Sequence, residues 1–322
     1  MDLVGRPRPQ RARGADGRRL IAPVSLVVSS TATGVVVATD GSLSNPLHIA
    51  VVVVACAGYA TMLFADARWP SLSIGLVAAA TLAPFFVSVV VIPRFTGDLW
   101  SYAMYGRILG IHHLSPWTHP PAAFPHDPLL HRVGSTWRHT PSVYGPAFTA
   151  VSASAAWVLG TTVLPTRLFY QALAAVVLGG GGWLIWRRTR SAGAVAFLTI
   201  HPLVAMYLVN GGRNDALVGV AMLAAVTLVA SRRPGAAGVA GALGALVKVT
   251  GVVGIAAIFM TMVVKGERRA ARRMASAAAA VFAVGYLVAG TSALFTPMQT
   301  AGALYSRASA WSTLPILGLT RP

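Results

Sequence analysis

The sequence predicts an all-α, polytopic transmembrane helical protein, and three observations carry that prediction. The chain is 55% hydrophobic and only 11% charged, where a soluble domain carries roughly 25% charged residues. Its mean hydropathy is +0.66. Apolar runs recur at 20–39, 47–65, 72–92, 143–160, 168–186, 192–209, 214–230, 249–264 and 274–290, and an uncharged stretch of about 18 residues reads as a membrane span. About 8–9 membrane segments are expected, with a large external loop after the third.

In chain order, residues 1–19 are Arg-rich and read as a basic cytoplasmic tail. Residues 20–290 form the transmembrane domain. The first apolar run is too long for a secretory signal, lacks a small-residue cleavage site and is followed by further spans. With the N-terminus inside, 40–48 lies outside and 66–71 is a short inner turn. The third run then delivers a hydrophilic island, residues 94–142, to the outer face, making 93–142 an external loop. Beyond it the orientation is strained. Full crossings by 143–160 and 168–186 would place Arg187, Arg188 and Arg190 outside, against the positive-inside rule. Either one apolar segment is partial, re-entrant or interfacial, with 143–160 a candidate, or the cluster breaks the rule. Lys248 interrupts 235–264, so 236–247 is expected as a short half-helix packed against 249–264. If the clusters at 187–190 and 232–233 are both inside, runs 192–209 and 214–230 form a hairpin whose tip, Asn210 to Asp215, faces the same side as Asp98. Residues 291–322 form a Ser- and aromatic-rich C-terminal segment without a clear final span, as in a fragment or a short member of a longer family.

A net charge of +18 invites a nucleic-acid partner. The cations, however, sit in short clusters between spans: Arg6 to Arg19, Arg187 to Arg190, Arg232–Arg233 and Lys265 to Arg273. That is the pattern of cytoplasmic loops meeting anionic lipid headgroups, so membrane lipids are the expected partner and nucleic acid is not. The one cysteine, Cys56, lies inside an apolar run and allows no intramolecular disulfide or thiol metal site.

Chemistry is expected in the island. Of the eight acidic residues only Asp40, Asp98, Asp127 and Asp215 are placed outside, and Asp98 and Asp215 sit at span ends. A carboxylate near hydrocarbon is costly and tends to be functional or paired. Asp98 can cap a helix over 99–110, act on a substrate, or do both. Asp215 reads as a cap or first-turn acid for the helix after it, or as a partner of Arg213. Asp127, between His126 and Pro128, reads as part of an exposed turn. Gly211-Gly212 permits a tight turn close to a ligand. Six of the eight histidines, 112, 113, 119, 126, 131 and 139, fall in the island. Their spacing among prolines matches no compact zinc site, so no metal is expected. Trp100, Tyr102, Tyr105, Trp117, Trp137 and Tyr144 suit an interfacial aromatic belt or stacking on sugar rings.

Several short strings occur in a fixed order. They are Gly97-Asp98-Leu99-Trp100-Ser101-Tyr102, Tyr105-Gly106-Arg107, Ser115-Pro116-Trp117, Val143-Tyr144-Gly145-Pro146, His201-Pro202-Leu203 and Asn210-Gly211-Gly212-Arg213-Asn214-Asp215. From about 94 to 265 the set resembles the polyprenol-phosphate-mannose-dependent α-(1→6)-mannosyltransferases of actinobacteria, which have the GT-C membrane fold. The resemblance implies a catalytic aspartate at Asp98 and a polyprenyl-phosphate-mannose donor reached from the outer leaflet. It also implies a glycan or glycolipid acceptor. The family usually has His where this chain has Arg213, and its members are commonly longer.

On this reading one base suffices, because a polyprenyl phosphate is a good leaving group, and no cofactor is expected. Asp98 is the candidate base, kept ionised by Arg107 or Arg213. Arg107, Arg213 and Lys248, backed by His112 and His113, are candidates for the departing phosphate. Tyr102, Tyr144, Asn214 and Asp215 complete the candidate substrate contacts. Lys248 reads equally as a snorkelling or paired cation. A transporter or flippase of lipid-linked sugars would favour internal repeats and charges at the bilayer midplane. No repeat stands out, and the polar residues gather at one face. An inactive homologue is the third alternative.

Overall fold

Helix-starting signals in the sequence recur at the observed boundaries. The computed structural model describes residues 17–39 and 45–303. The bulk of the expected basic tail, the Asp40 turn and most of the C-terminal segment lie outside these residues. Among the described residues every regular element is helical. Helix α1 is Ile21–Ala38 and α2 is Pro46–Arg68. Asn45 starts α2 by accepting from the Leu47 N–H at 2.9 Å, with Pro46 just inside. Ser73 caps α3, Ile74–Val90, in the same way. Then come α4, Asp98–Gly110; α5, Pro146–Leu159; α6, Val163–Thr189; and α7, Ala192–Thr199. A π-helical turn, Val204–Val209, follows. The chain continues with α8, Asp215–Ala230; α9, Pro234–Val247; α10, Gly251–Val264; α11, Arg268–Ala289; and α12, Ser292–Ala303.

By length and composition four of the described helices can cross a membrane: Gly17–Ala38, which contains α1, together with α2, α6 and α11. Helices α3, α5, α8, α9 and α10 are apolar but shorter. Helix α5 has 14 residues, about 21 Å at 1.5 Å per residue, well under a hydrocarbon core of about 30 Å. The run 192–209 is not one helix. It breaks at His201-Pro202, where proline supplies no N–H, and resumes as the π turn. The run 235–264 divides at Lys248–Thr250 into α9 and α10, which pack on each other.

The chain separates into two compact units, residues 1–96 with 170–213, and residues 97–169 with 214–322. In the first, α1 packs on α2 and α3 through small and hydroxyl side chains. Ser29 Oγ donates to the Ala55 carbonyl at 2.9 Å and Ser30 Oγ to the Ala80 carbonyl at 2.6 Å. Gly58 lets α2 approach the backbone of Ser25 and Ser29. A buried polar knot closes one end of this unit. Gln171 Nε2 donates to the carbonyls of Ser88, Val91 and Asn210, while Asn210 Nδ2 donates to those of Ser88 and Ile92. Asn210 Oδ1 accepts from the Arg94 N–H at 2.9 Å. Asn210 is fully buried, so the first residue of the 210–215 string serves the fold.

In the second unit α4 packs on α5, where the Gly106 backbone lies against that of Ser152. Helix α9, mostly Gly, Ala and Val, packs against both α8 and α11. Its Gly238 admits the Met274 backbone and its Gly244 admits Ala221 and Met222, the small-residue contact by which helices close up without a hydrophobic drive between them. Ala225, Ala237, Met262, Ala271 and Met274 form the buried core there.

Candidate active site

Helix α4 begins at the mouth of the island, and almost all of it is buried. Gly97 occupies its N-cap position, so Asp98 is a first-turn acid rather than the cap expected from sequence. There its negative charge complements the helix dipole. Asp98 is half-buried. One and two turns further on, Tyr102 and Tyr105 are 2% and 1% exposed. Tyr102 meets Tyr144 edge-on at 4.8 Å and Phe148 at 4.9 Å. The Tyr105 hydroxyl donates to the Thr140 carbonyl at 2.8 Å, and burial pushes that phenol up.

Tyr144 lies in the loop before α5. Burial pushes its phenol well above the ordinary value, and Tyr102, Asp98 and Tyr105 push in the same direction. The phenol therefore stays protonated, with the charge of Asp98 close enough to act on it. Three backbone contacts fix this loop. Trp117 Nε1 donates to the Tyr144 carbonyl at 2.8 Å, the Ser142 N–H to the Pro116 carbonyl at 2.8 Å, and the Gly145 N–H to the Val247 carbonyl at 2.9 Å. The last brings the end of the island to the end of α9, beside Lys248. Gly145 is required there, since a Cβ would fall on the Leu246 carbonyl.

Arg107 and His112 converge on one carboxylate, Asp127. Arg107 Nε donates to its two oxygens at 3.0 and 2.8 Å, and His112 Nε2 lies 2.9 Å from Oδ2. The Leu129 N–H donates to Oδ1 at 3.0 Å, and Arg107 also reaches the Gly160 carbonyl at 3.0 Å. The Asp127 side chain has no exposed surface, which corrects the exposed turn expected for it. Burial alone would raise its pKa, but the Leu129 N–H, His112 and Arg107 together outweigh burial and hold the carboxyl below its ordinary value. His112 stacks on Phe124 at 4.3 Å, whereas His113 is exposed with φ of 54°.

Asp215 is a first-turn acid of α8 and pairs with Lys248, Nζ to Oδ1 2.7 Å. Asn214 precedes it, fully buried, with neither amide atom hydrogen-bonded. Arg213, in the first unit, is partly buried with its guanidinium 6.0 Å from the Tyr207 ring centroid. The structure thus gathers Asp98, Tyr102, Tyr105 and Tyr144 in one place, commits Arg107 and His112 to Asp127, and couples Asp215 to Lys248. Sequence reasoning passed over Asp127, Gln171 and Asn210 as structural partners. Only Asp127 had a local signal, the aspartate turn that its side chain makes with Leu129. Among the described residues no three His, Cys, Asp or Glu side chains are placed to hold a metal ion.

Among the described residues the fold is all-helical, with several apolar helices, four of them long enough to cross a membrane, and a polar loop headed by Asp98. The family model for "Alpha-(1->6)-mannopyranosyltransferase, N-terminal domain" matches residues 11–266, and the chain belongs to that family, as its ordered motifs led one to expect. Alpha-(1->6)-mannopyranosyltransferase A of Corynebacterium glutamicum is 26% identical over 179 residues, covering 54% of this chain and 36% of that protein. Its namesake from Mycobacterium tuberculosis is 30% identical over 160 residues, 47% of this chain and 30% of that protein. A probable alpha-(1->6)-mannopyranosyltransferase of Mycolicibacterium smegmatis is 29% identical over 143 residues, 41% and 25% respectively. The matched region thus spans about a third or less of each relative's length. No solved structure matches the chain.

Proposed function

We propose that the chain acts in a membrane mannosyltransferase. A mannosyl residue passes from a polyprenyl-phosphate donor to a glycan or glycolipid acceptor at the extracytoplasmic face of the cell membrane, with inversion. Family membership supports the sugar and the reaction class. The observation that carries the site is Asp98, half-buried in the first turn of α4, with its charge acting on the buried Tyr144 hydroxyl.

Asp98 removes the proton of the acceptor hydroxyl as that oxygen attacks the anomeric carbon. The anomeric C–O bond to phosphate breaks and its electron pair leaves with the phosphate, so no general acid is required. Tyr144 and Tyr102, both buried, shape the sugar's surroundings. Lys248 supplies charge for the departing phosphate. It is 30% exposed and already oriented by Asp215. Arg213, Asn214 and His113 remain candidate donor contacts. Arg107 and His112 act through Asp127 by holding the island in place. The reading calls on no cofactor.

The test is transfer of radiolabelled mannose from polyprenyl-phosphate-mannose to a mannoside acceptor, in membranes carrying wild type or Asp98→Asn at equal levels. Asp98→Asn is expected to lose at least about a hundredfold in rate, the lower end of general-base contributions. Near-normal transfer by that variant would remove Asp98 from the mechanism.

A further inference from the structure

The Lys248–Asp215 pair marks one end of the α8–α11 bundle. The other end, one helix length away, holds a feature that mannosyl transfer does not use. Between α8 and α10 runs a cleft of about 500 Å³ walled by Val226, Val229, Ile258 and Met262. At its mouth stand Arg232, Lys265 and Glu267. A second cleft, of about 490 Å³, shares Val229, Arg232, Met262 and Glu267 with the first and adds Arg268, Arg269 and Arg273 from α11. The two form one continuous groove, apolar along the helices and cationic where they end.

The cations outnumber their partners. Among the residues lining the groove, five cations face the single carboxylate Glu267. Arg232 lies 3.9 Å from Glu267 with 88% of its side chain exposed, a pair too loose and too wet to neutralise it. Helix preference does not account for the arrangement. Arg268 and Arg269 open α11, where the helix dipole disfavours positive charge. Helices α8 and α10 end in the same left-handed turn, yet α10 places Gly266 in it at φ of 78° while α8 places Arg232 at φ of 60°. The Arg233 N–H bonds back to Leu228 and the Glu267 N–H to Met262, each at 2.9 Å. Glycine is the usual residue at that position, and the arginine accepts steric cost while aiming a guanidinium at the groove.

We propose that this groove is a binding site for one anionic phospholipid. The phosphate sits among Arg232, Lys265, Arg269 and Arg273, and an acyl chain lies along the wall between α8 and α10. Charge complementarity selects the headgroup, and the apolar wall selects a lipid over a soluble anion or an acidic polymer. The site is independent of the transfer chemistry.

The full chain, purified in neutral detergent, is to be offered phosphatidylglycerol and phosphatidylcholine of identical chains, with retention read by native mass spectrometry. Phosphatidylglycerol should be retained preferentially. Arg232→Gly keeps the left-handed turn, so its unfolding midpoint should match or exceed wild type, while retention falls about fivefold for the loss of one cation near an anionic headgroup. Ala257→Trp, which fills the wall and leaves every charge, should also lower retention. Equal retention of both lipids, or unchanged phosphatidylglycerol retention in a folded Arg232→Gly protein, overturns the proposal. So does displacement of the lipid by millimolar glycerol phosphate, which would make the site one for soluble anions.

Discussion

Arg107 and Asp127, twenty residues apart, form a buried ion pair through one bifurcated bond, with Nε 2.8 Å from Oδ2 and side chains 8% and 0% exposed. Each remaining donor and acceptor around the carboxylate is a short contact to His112 or Leu129. Arg107 stands on α4, two and a half turns beyond Asp98, so the pair fastens the long loop to the helix that carries the proposed base.

Breaking one side of this pair leaves a buried charge uncompensated, which costs about 3–5 kcal/mol. Asp127→Leu is therefore expected to lower stability by that order in denaturant unfolding of the detergent-solubilised protein. Adding Arg107→Met should restore a good part of the loss, because an apolar pair leaves no buried charge. A double variant as unstable as the single one would contradict this account.

The same carboxylate predicts a pH dependence. Its value in the folded protein lies below the ordinary one, so the unfolded chain binds the proton more tightly. The pair's stabilisation is then fully present above about pH 4 and is lost as pH falls through the folded value. The chain has only 8 acidic residues, so one of them should be visible in the whole profile. Below about pH 4 the unfolding midpoint of wild type should fall more steeply than that of Asp127→Asn. Parallel curves would show that Asp127 does not control this window.

Lys248 and Asp215 are a different kind of pair. Their side chains are 30% and 40% exposed, and pairs of that sort contribute about 0.2–1 kcal/mol. Lys248→Met should leave stability within roughly 1 kcal/mol of wild type. If Lys248 meets the departing phosphate, the same variant loses transfer far beyond that small change. Unimpaired transfer would reduce Lys248 to a structural partner.

Gly106 sits where α4 and α5 touch, and a Cβ there would overlap the Ser152 backbone. Gly106→Ala is expected to cost about 1–3 kcal/mol through overpacking. Gly34→Ala in α1, where a Cβ meets nothing within 4 Å, should leave the unfolding midpoint near wild type. Comparable losses at both positions would show that contact with the Ser152 backbone is not what makes Gly106 necessary.

The helical architecture was legible in the sequence because it rests on local and averaged properties. Apolar runs, Asn45 and Ser73 before helices, and prolines at 46, 146 and 234 place helix bodies and starts without reference to distant residues. Lys248 marked the break between α9 and α10 because a charge interrupts an apolar run at that point. The motif order carried the family, since it needs only residue identity and spacing. The break within 192–209 was less legible, because Pro202 can kink a helix as readily as end it.

The pairings were not legible, because each depends on how far the chain returns through space. Nothing local distinguishes Arg107 as a partner for Asp127 rather than for Asp98 or a phosphate. The choice is made when the island folds back over α4 and buries Asp127, where an unpaired charge would be too costly to keep. Likewise the sequence set Asp215 beside Arg213, but the packing of α9 on α8 brings Lys248, 33 residues on, within 2.7 Å. The sequence by itself determined an apolar helical chain, several of its helix starts and its family. The tertiary structure alone decided which charges meet, because the desolvation that makes a pair obligatory arises only when distant segments exclude water together.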